Sequence, residues 1–434
     1  KEGRGQAVSV TGEAGLGKSR LLHEIRNATS SEDITFLEGR CMSYCRGLPN
    51  YPLIDLFRSS LGLAEGDPEA IVRSKLTAMH AQLNVEEPTN FQWLLDLLVS
   101  SSGSPQNTTF TPEARKALLA RALTDFLLSV SEDRPLVVAI EDLHWIDRNS
   151  EELLNHLLSS ISASRILAVL TSRPEYPHTW RARSYHGQLT LNRLSARETL
   201  EMARHQLDQA ELHDSLQDLI LEKTEGVPFF VEEFLKSLRD LGLLDVSNGT
   251  YRLTPGFEDV SVPTTIHDVL RARVDVLPAP AKELLKTASV VGREISHEML
   301  QALTKSAEED LLTDLSSLRD AELFYERGVY PHSTYLFKHA LTQEVVHDSL
   351  LRDQRRKLHI QAGEAIELLH RTNLSEHYGV LAEHFIAGED FEKGSKYSRL
   401  AARSAHQAGA GPVAIDYAKR NVVCVSHLPE SDRT

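Results

Sequence analysis

Apolar and polar residues alternate over 6–11 (QAVSVT), then give way to glycines, then resume at helical spacing with Leu21, Leu22 and Ile25 in "KSRLLHEIRNA". A period of two predicts a strand, and a period near 3.6 predicts a helix. "ITFLEGRC" (34–41) predicts a second strand, and at least two helices follow, one of them "NFQWLLDLLVS". "PEARKALLARALTDFLLSV" sets Leu118, Leu119, Ala122, Leu123, Phe126, Leu127 and Val130 on one helical stripe. "RPLVVAIED" (134–142) is a continuous apolar run, as expected for a strand buried on both faces of a parallel sheet. "SEELLNHLLSSI" predicts a helix with Ser150 as its N-cap and Leu153, Leu154, Leu157 and Leu158 turned inward. "RILAVLTSRPE" and "GQLTLNRL" predict the last two strands.

Strands alternating with helices over 1–192 imply an α/β fold, a parallel sheet with helices on both faces. The strand pattern then fades. Residues 195–245 read as mostly helical, broken at Gly226 and Pro228, with "GTYRLTP" (249–255) as a hairpin piece before a linker, "EDVSVPTT". Residues 264–350 read as three helices followed by a wing, "ELFYERG" and "TYLFKHAL". Residues 351–434 place Ala382, Phe385, Tyr397, Ala401, Ala405, Ala414, Tyr417 and Ala418 as in paired helices, and Leu381 to Ile415 matches the period of a tetratricopeptide repeat.

At about 150 residues per domain, 434 residues make about three domains. With 41% hydrophobic and 25% charged residues, sizeable cores are possible. The net charge of −15 argues against nucleic acid or an anionic membrane as a default partner. No apolar run reaches the length of a membrane span, and "KEGRGQAVSV" lacks the apolar core of a signal peptide. The start beside a core strand without Met suggests a fragment of a longer protein. Cys41, Cys45 and Cys424 lack a partner pair at zinc spacing, so they read as buried thiols in a reducing, cytoplasmic compartment.

The chemistry starts at "VSVTGEAGLGKS". Gly12, Gly17, Lys18 and Ser19 satisfy G-x-x-x-x-G-K-[ST] between a strand and an amphipathic helix. Glycines let successive backbone N–H groups converge on an anion, and the following helix turns its N-terminus toward it. Gly12, Glu13, Ala14, Gly15, Leu16, Gly17, Lys18, Ser19 and Arg20 are thus candidate nucleotide-binding positions; the side chains of Glu13 and Ala14 carry no assigned chemistry. Lys18 would bridge phosphates, and Ser19 would hold Mg²⁺. Glu141 and Asp142 close the buried strand: one suits the metal, the other the attacking water. A helix-capping acid pair is the plainer alternative, and Asp147 reads as structural. Arg173 follows the next strand. If that strand lies between the other two, Arg173 faces the γ-phosphate and stabilises transferred charge; a surface ion pair is the alternative.

These segments, with "GRCMSYCRGLPNYPLIDLFR", "LVVAIEDLHWID", "TSRPEY", "TEGVPFFVEEFLKSL" and "FKHALTQEVVHDSLL", resemble the signal-transduction ATPases with numerous domains, the STAND NTPases. Within them the chain is similar to the AAA-type module found beside class III nucleotide cyclases and in large LuxR-type regulators. The resemblance implies a P-loop domain (1–192), a helical lid (193–258), a winged-helix domain (259–350) and the start of helical repeats (351–434). It implies a slow ATPase in which ADP holds a closed state and exchange for ATP opens it for output or self-assembly. Gly226-Val227-Pro228 matches the lid motif whose proline packs on adenine, and His339 matches a histidine that meets the ADP β-phosphate; a simple helix break and a core histidine are the alternatives. Glu141 departs from the Asp common at that position.

The expected cofactors are ATP or ADP with Mg²⁺, and the expected partner is a covalently linked output domain, a cyclase among the candidates. Two other functions compete. A small-molecule kinase would need an acceptor pocket, and no residues suggest one. A DNA-binding regulator would use "RDQRRK" (352–357), which reads better as a solvated helix face.

Overall fold

The computed structural model describes residues 3–42, 49–63, 67–82, 88–99, 111–180, 183–247, 249–254, 265–328 and 330–429. Cys45 and all but the last residue of the "EDVSVPTT" linker lie outside them. Two compact units emerge: one comprises residues 1–12, 18–190 and 366–434, the other residues 13–17 and 191–365.

The first unit opens with β1 (Gln6–Thr11), α1 (Lys18–Thr29) and β2 (Thr35–Arg40). Four helices follow: α2 (Tyr51–Leu61), α3 (Glu69–Gln82), α4 (Pro88–Val99) and α5 (Pro112–Asp133). Then come β3 (Leu136–Glu141), α6 (Arg148–Ser160), β4 (Ile166–Ser172) and β5 (His186–Thr190). The five strands form one parallel sheet in the order β2-β3-β4-β1-β5. All six residues of β3 are buried, as the unbroken apolar run predicts for a central strand. The α5 stripe packs into the same core as Leu53, Phe57, Leu153 and Leu157; Leu118 and Leu119 are half-buried and the rest are buried. The strand after β3 in sequence does lie between β3 and β1, which meets the condition set for Arg173.

One cap differs from expectation. Asp147, not Ser150, is the N-cap of α6: its carboxylate accepts from the backbone N–H groups of Asn149 and Ser150. Ser150 is followed three residues later by Leu153 rather than Glu or Gln, so it lacks the reciprocal half of a capping box. An ionised cap also stabilises the helix N-terminus through the dipole.

The second unit runs through α7 (Ala196–Gln206), β6 (Glu211–Leu212), α8 (Asp214–Thr224), α9 (Pro228–Asp240), β7 (Leu244–Ser247) and β8 (Thr250–Leu253). Ser195 and Glu198 form a capping box at α7. The expected hairpin piece is β8, antiparallel to β7, and the unforeseen β6 adds a third, parallel strand. After α10 (Ile266–Asp275) and α11 (Ala279–Val291) come β9 (Glu294–Ser296), α12 (His297–Thr304) and α13 (Glu308–Asp320). The two segments read as a wing are β10 (Phe324–Arg327) and β11 (Thr334–Phe337), antiparallel to each other, with β9 on the far side of β11; α14 (Ala340–Asp348) follows. Arg273 of α10 and Glu233 of α9 form a buried ion pair that ties these helices together.

The chain ends in α15 (Arg352–Leu369), α16 (Tyr378–Ala387), α17 (Phe391–Gln407) and α18 (Gly411–His427). Ala382, Phe385, Tyr397, Ala401, Ala405 and Tyr417 are buried, but Ala418 is exposed. The spacing of Leu381 and Ile415 does not carry over to packing. Leu381 is fully buried and Ile415 is 58% exposed, because α18 buries Val413, Tyr417 and Cys424 instead. Cys41 and Cys424 are free, buried thiols. Among the described residues, no helix is long and apolar enough to cross a membrane.

Candidate nucleotide site

In the first unit the site is built on the C-terminal tips of β1, β3 and β4. α1 begins at Lys18, directly after the glycine loop, so its N-terminus opens beside the tip of β1. Gly12 N–H reaches Ser172 O at 3.3 Å, joining the tips of β1 and β4. Lys18 Nζ donates to Gly12 O at 2.8 Å, which folds the long side chain back over the loop. Burial lowers the Lys18 pKa; Asp142 and Glu141 oppose that shift and Arg173 reinforces it. These electrostatic couplings place Lys18, Asp142, Glu141 and Arg173 in one neighbourhood.

Ser19 Oγ donates to Glu141 Oε2 at 2.7 Å. The other carboxylate oxygen, Oε1, accepts from Arg40 Nε at 3.2 Å. Burial raises the Glu141 pKa, with Arg40 and the Ser19 hydrogen bond pulling it back down. Asp142 leaves the strand in the left-handed region at φ 58°, and its N–H bonds Thr171 Oγ1 at 3.0 Å. That turn ends β3 at Glu141 and leads into a short helical turn, Leu143–Trp145. Glu141 is no helix cap; that job falls to Asp147. Ser19 and Glu141 offer two hard oxygen donors side by side, the set that Mg²⁺ takes beside nucleotide phosphates and water. Among the described residues, no group of three or more His, Cys, Asp or Glu side chains could hold a metal.

Sequence reasoning passed over His144, in the turn after Asp142. Burial pushes its pKa down to about 4; Asp142 opposes the shift, and Arg173 and Lys18 add to it. A neutral imidazole therefore stands within electrostatic reach of the three residues assigned to catalysis. Its place in "DLHWID" was the available signal. Arg20 faces outward and pairs with Glu24 at 2.6 Å, so its side chain is engaged at the surface.

Loop residues 13–17 belong with the second unit. Gly15 has φ +82°, and a Cβ built there would lie 3.1 Å from Phe229 Cβ and 3.2 Å from Val227 Cγ1. Phe229 N–H donates to Gly15 O at 3.2 Å. The loop tip therefore rests on the first turn of α9, where the Gly226-Val227-Pro228 motif sits. Gly226, at φ +73°, has no room for a side chain: its Cβ would lie 2.2 Å from Leu194 O. Pro228 opens α9 at a position where a missing N–H costs nothing. Leu16 is buried, and Glu13 lies 3.9 Å from Arg193.

His339 precedes α14 and makes no side-chain capping bond. Its ring packs on Phe229 with centroids 4.2 Å apart. Burial lowers its pKa to about 4, with Glu232 opposing and Lys338 assisting, and Nε2 has no hydrogen-bond partner among the described residues. Phe229 thus touches the phosphate-loop tip on one side and His339 on the other.

Residues 1–170 match the family described as the AAA ATPase domain. An uncharacterized protein of Rhizobium meliloti (strain 1021) is 28% identical over 389 residues, covering 88% of this chain and 37% of its own length. Among solved structures, a STAND protein with a tetratricopeptide repeat sensor from Pyrococcus horikoshii aligns with TM-score 0.48 and 12% identity, over 99% of this chain and 57% of its own. A Walker-type ATPase of Pyrococcus abyssi aligns with TM-score 0.33 and 14% identity, over 78% of this chain and 90% of its own. The chain thus spans little more than a third of its sequence relative.

Proposed function

We propose that this chain binds ATP and hydrolyses it slowly, and that exchange between ADP and ATP switches it within a larger regulator. The observation that carries the reading is the pairing of Ser19, one residue after the loop lysine, with the strand-tip acid Glu141 at 2.7 Å. A glycine turn with no nucleotide to hold has no use for a buried carboxylate at that point.

In this reading the loop N–H groups and Lys18 bind the phosphates. Ser19 and Glu141 would hold Mg²⁺, which neutralises charge on the phosphate oxygens. Asp142 orients the attacking water, and Arg173 stabilises the charge that develops on transfer. The loop tip rests on α9, so a nucleotide in the loop is felt at Val227 and Phe229 and, through Phe229, at His339. That relay supports a switch over a plain catalyst. We assign 1–192 as the nucleotide domain, 193–258 as a lid, 259–350 as a winged-helix domain and 351–434 as helical repeats. The output is a domain covalently linked to this chain.

The test is Lys18→Ala. The variant loses ATP binding in calorimetry, while wild-type protein carries ADP through purification and turns over slowly. Unchanged ATP binding in the variant would remove the loop from the site. Fast phosphoryl transfer to a small molecule by the wild type would replace the switch with a kinase.

A further inference from the structure

The row of charges behind Glu141 belongs to none of the roles assigned above. Arg40 and Glu141 are direct neighbours in the parallel register of β2 and β3, at the tips of both strands. Arg40 donates from Nε to Glu141 Oε1 at 3.2 Å and from Nη2 to Glu38 Oε1 at 2.7 Å. Glu38, two residues earlier on the same face of β2, also pairs with Arg26 of α1. Arg26 lies seven residues after Ser19, two turns along one helix face, and Ser19 holds the other oxygen of Glu141. Arg26, Glu38, Arg40, Glu141 and Ser19 therefore close a ring that starts and ends on α1. Arg40 itself is anchored by its backbone N–H, which donates to Asp55 Oδ2 at 2.9 Å.

Two buried carboxylates side by side repel, and each needs a counter-charge in place. The Glu141 side chain is 7% exposed and that of Glu38 is 12% exposed, so water does little of that work. A planar guanidinium presents donors in a fixed fork, so one Arg can hold two acceptors in defined directions; an ammonium cannot. With Oε1 held by Arg40, Oε2 is left directed at Ser19, where the metal belongs.

We propose that Arg40 is a positioning residue of the metal site. It fixes the Glu141 carboxylate against Ser19, and Glu38 and Arg26 fix Arg40 in turn. Arg40 touches neither nucleotide nor metal. The inference rests on the nucleotide reading above.

Calorimetry of full-chain wild type, Arg40→Met and Arg40→Lys with ATP, in EDTA and across a Mg²⁺ titration, tests it. Outer-shell groups that orient a ligand alter metal affinity by about 10–100-fold, so Arg40→Met should weaken Mg²⁺ binding to the ATP complex by about that factor. Metal-free ATP binding should stay as in wild type. Arg40→Lys should recover only part of the loss, because it keeps the charge without the fork. With Mn²⁺ as the probe, the EPR spectrum of the ATP complex should change in both variants. If Arg40→Met does not fold, Arg40→Lys carries the test alone.

Wild-type metal affinity in Arg40→Lys and Arg40→Met would overturn the proposal. So would a parallel fall of metal-free and Mg²⁺-dependent ATP binding, which would make Arg40 a strap at the sheet edge. A wild-type protein that binds no ATP would instead sink the nucleotide reading itself.

Discussion

Ser19 and Glu141, separated by 122 positions in the chain, meet through one hydrogen bond of 2.7 Å from hydroxyl to carboxylate. That bond ties the first turn of the helix after the glycine loop to the tip of β3. In the proposed reading it gives Glu141 the metal side and leaves Asp142 to the attacking water. Glu141→Gln keeps the shape and loses the charge, so ATP binding in EDTA should persist while Mg²⁺ dependence disappears. Hydrolysis should fall by about 10²–10³-fold, the usual effect of removing one well-placed electrostatic group. A variant with wild-type Mg²⁺ dependence would shift the metal-side role to Asp142, and Asp142→Asn would then show the loss.

Gly15 is where the loop presses on α9. Its φ of +82° disfavours any L side chain, and a Cβ would meet Val227 and Phe229 at 3.1–3.2 Å. Gly15→Ala should cost roughly 1–3 kcal/mol in urea unfolding from backbone strain, and Gly15→Val should cost more because it adds bulk against Phe229. Equal stability of wild type and Gly15→Val would mean the loop tip and α9 are not in register as described.

The parts of this architecture that were legible in the sequence are those set by neighbours along the chain. The unbroken apolar run Leu136–Ile140 marks β3, and the helical stripes from Leu118 to Val130 and from Leu153 to Leu158 need only periodicity. The α6 cap was misread because Asp147 and Ser150 are both good capping residues three positions apart, and geometry alone chose between them. The spacing of Leu381 and Ile415 failed because a repeat length does not fix which face a helix buries. At the site, the phosphate loop and the strand-tip acids were visible as motifs. Arg40 against Glu141 and Phe229 against His339 were not, since the first pair lies 101 positions apart in the chain and no local pattern marks the second.

Four histidines, His144, His339, His377 and His384, have pKa values lowered to about 4, in each case chiefly by burial. The ordinary value is 6.5, so the unfolded chain takes up protons at a pH where the folded chain does not. Their contribution to stability is complete above pH 6.5 and is lost as pH falls toward 4. For His384, buried in α16, the full effect is about 3 kcal/mol. Unfolding free energy measured by urea titration should therefore drop through this window. His384→Leu should make that drop shallower, and an unaltered pH slope in that variant would show that His384 takes no part.

His339 gives the switch its most specific handle. It lies on Phe229 with centroids 4.2 Å apart, and Phe229 bonds the loop tip through its backbone. Its Nε2 is buried with no hydrogen-bond partner among the described residues, and in the proposed reading a phosphate oxygen supplies one. A buried neutral imidazole can donate one hydrogen bond to such an oxygen, and bonds to charged groups contribute roughly 1.5–3 kcal/mol. His339→Ala should therefore weaken ADP binding by about 10–100-fold, the range those energies convert to. ATP binding should change less, because the reading assigns His339 to the ADP-held state. Calorimetric titration of each nucleotide into wild type and variant decides it. Equal losses for ADP and ATP would make His339 a packing residue on Phe229, and the switch would then have to be sensed elsewhere along α9.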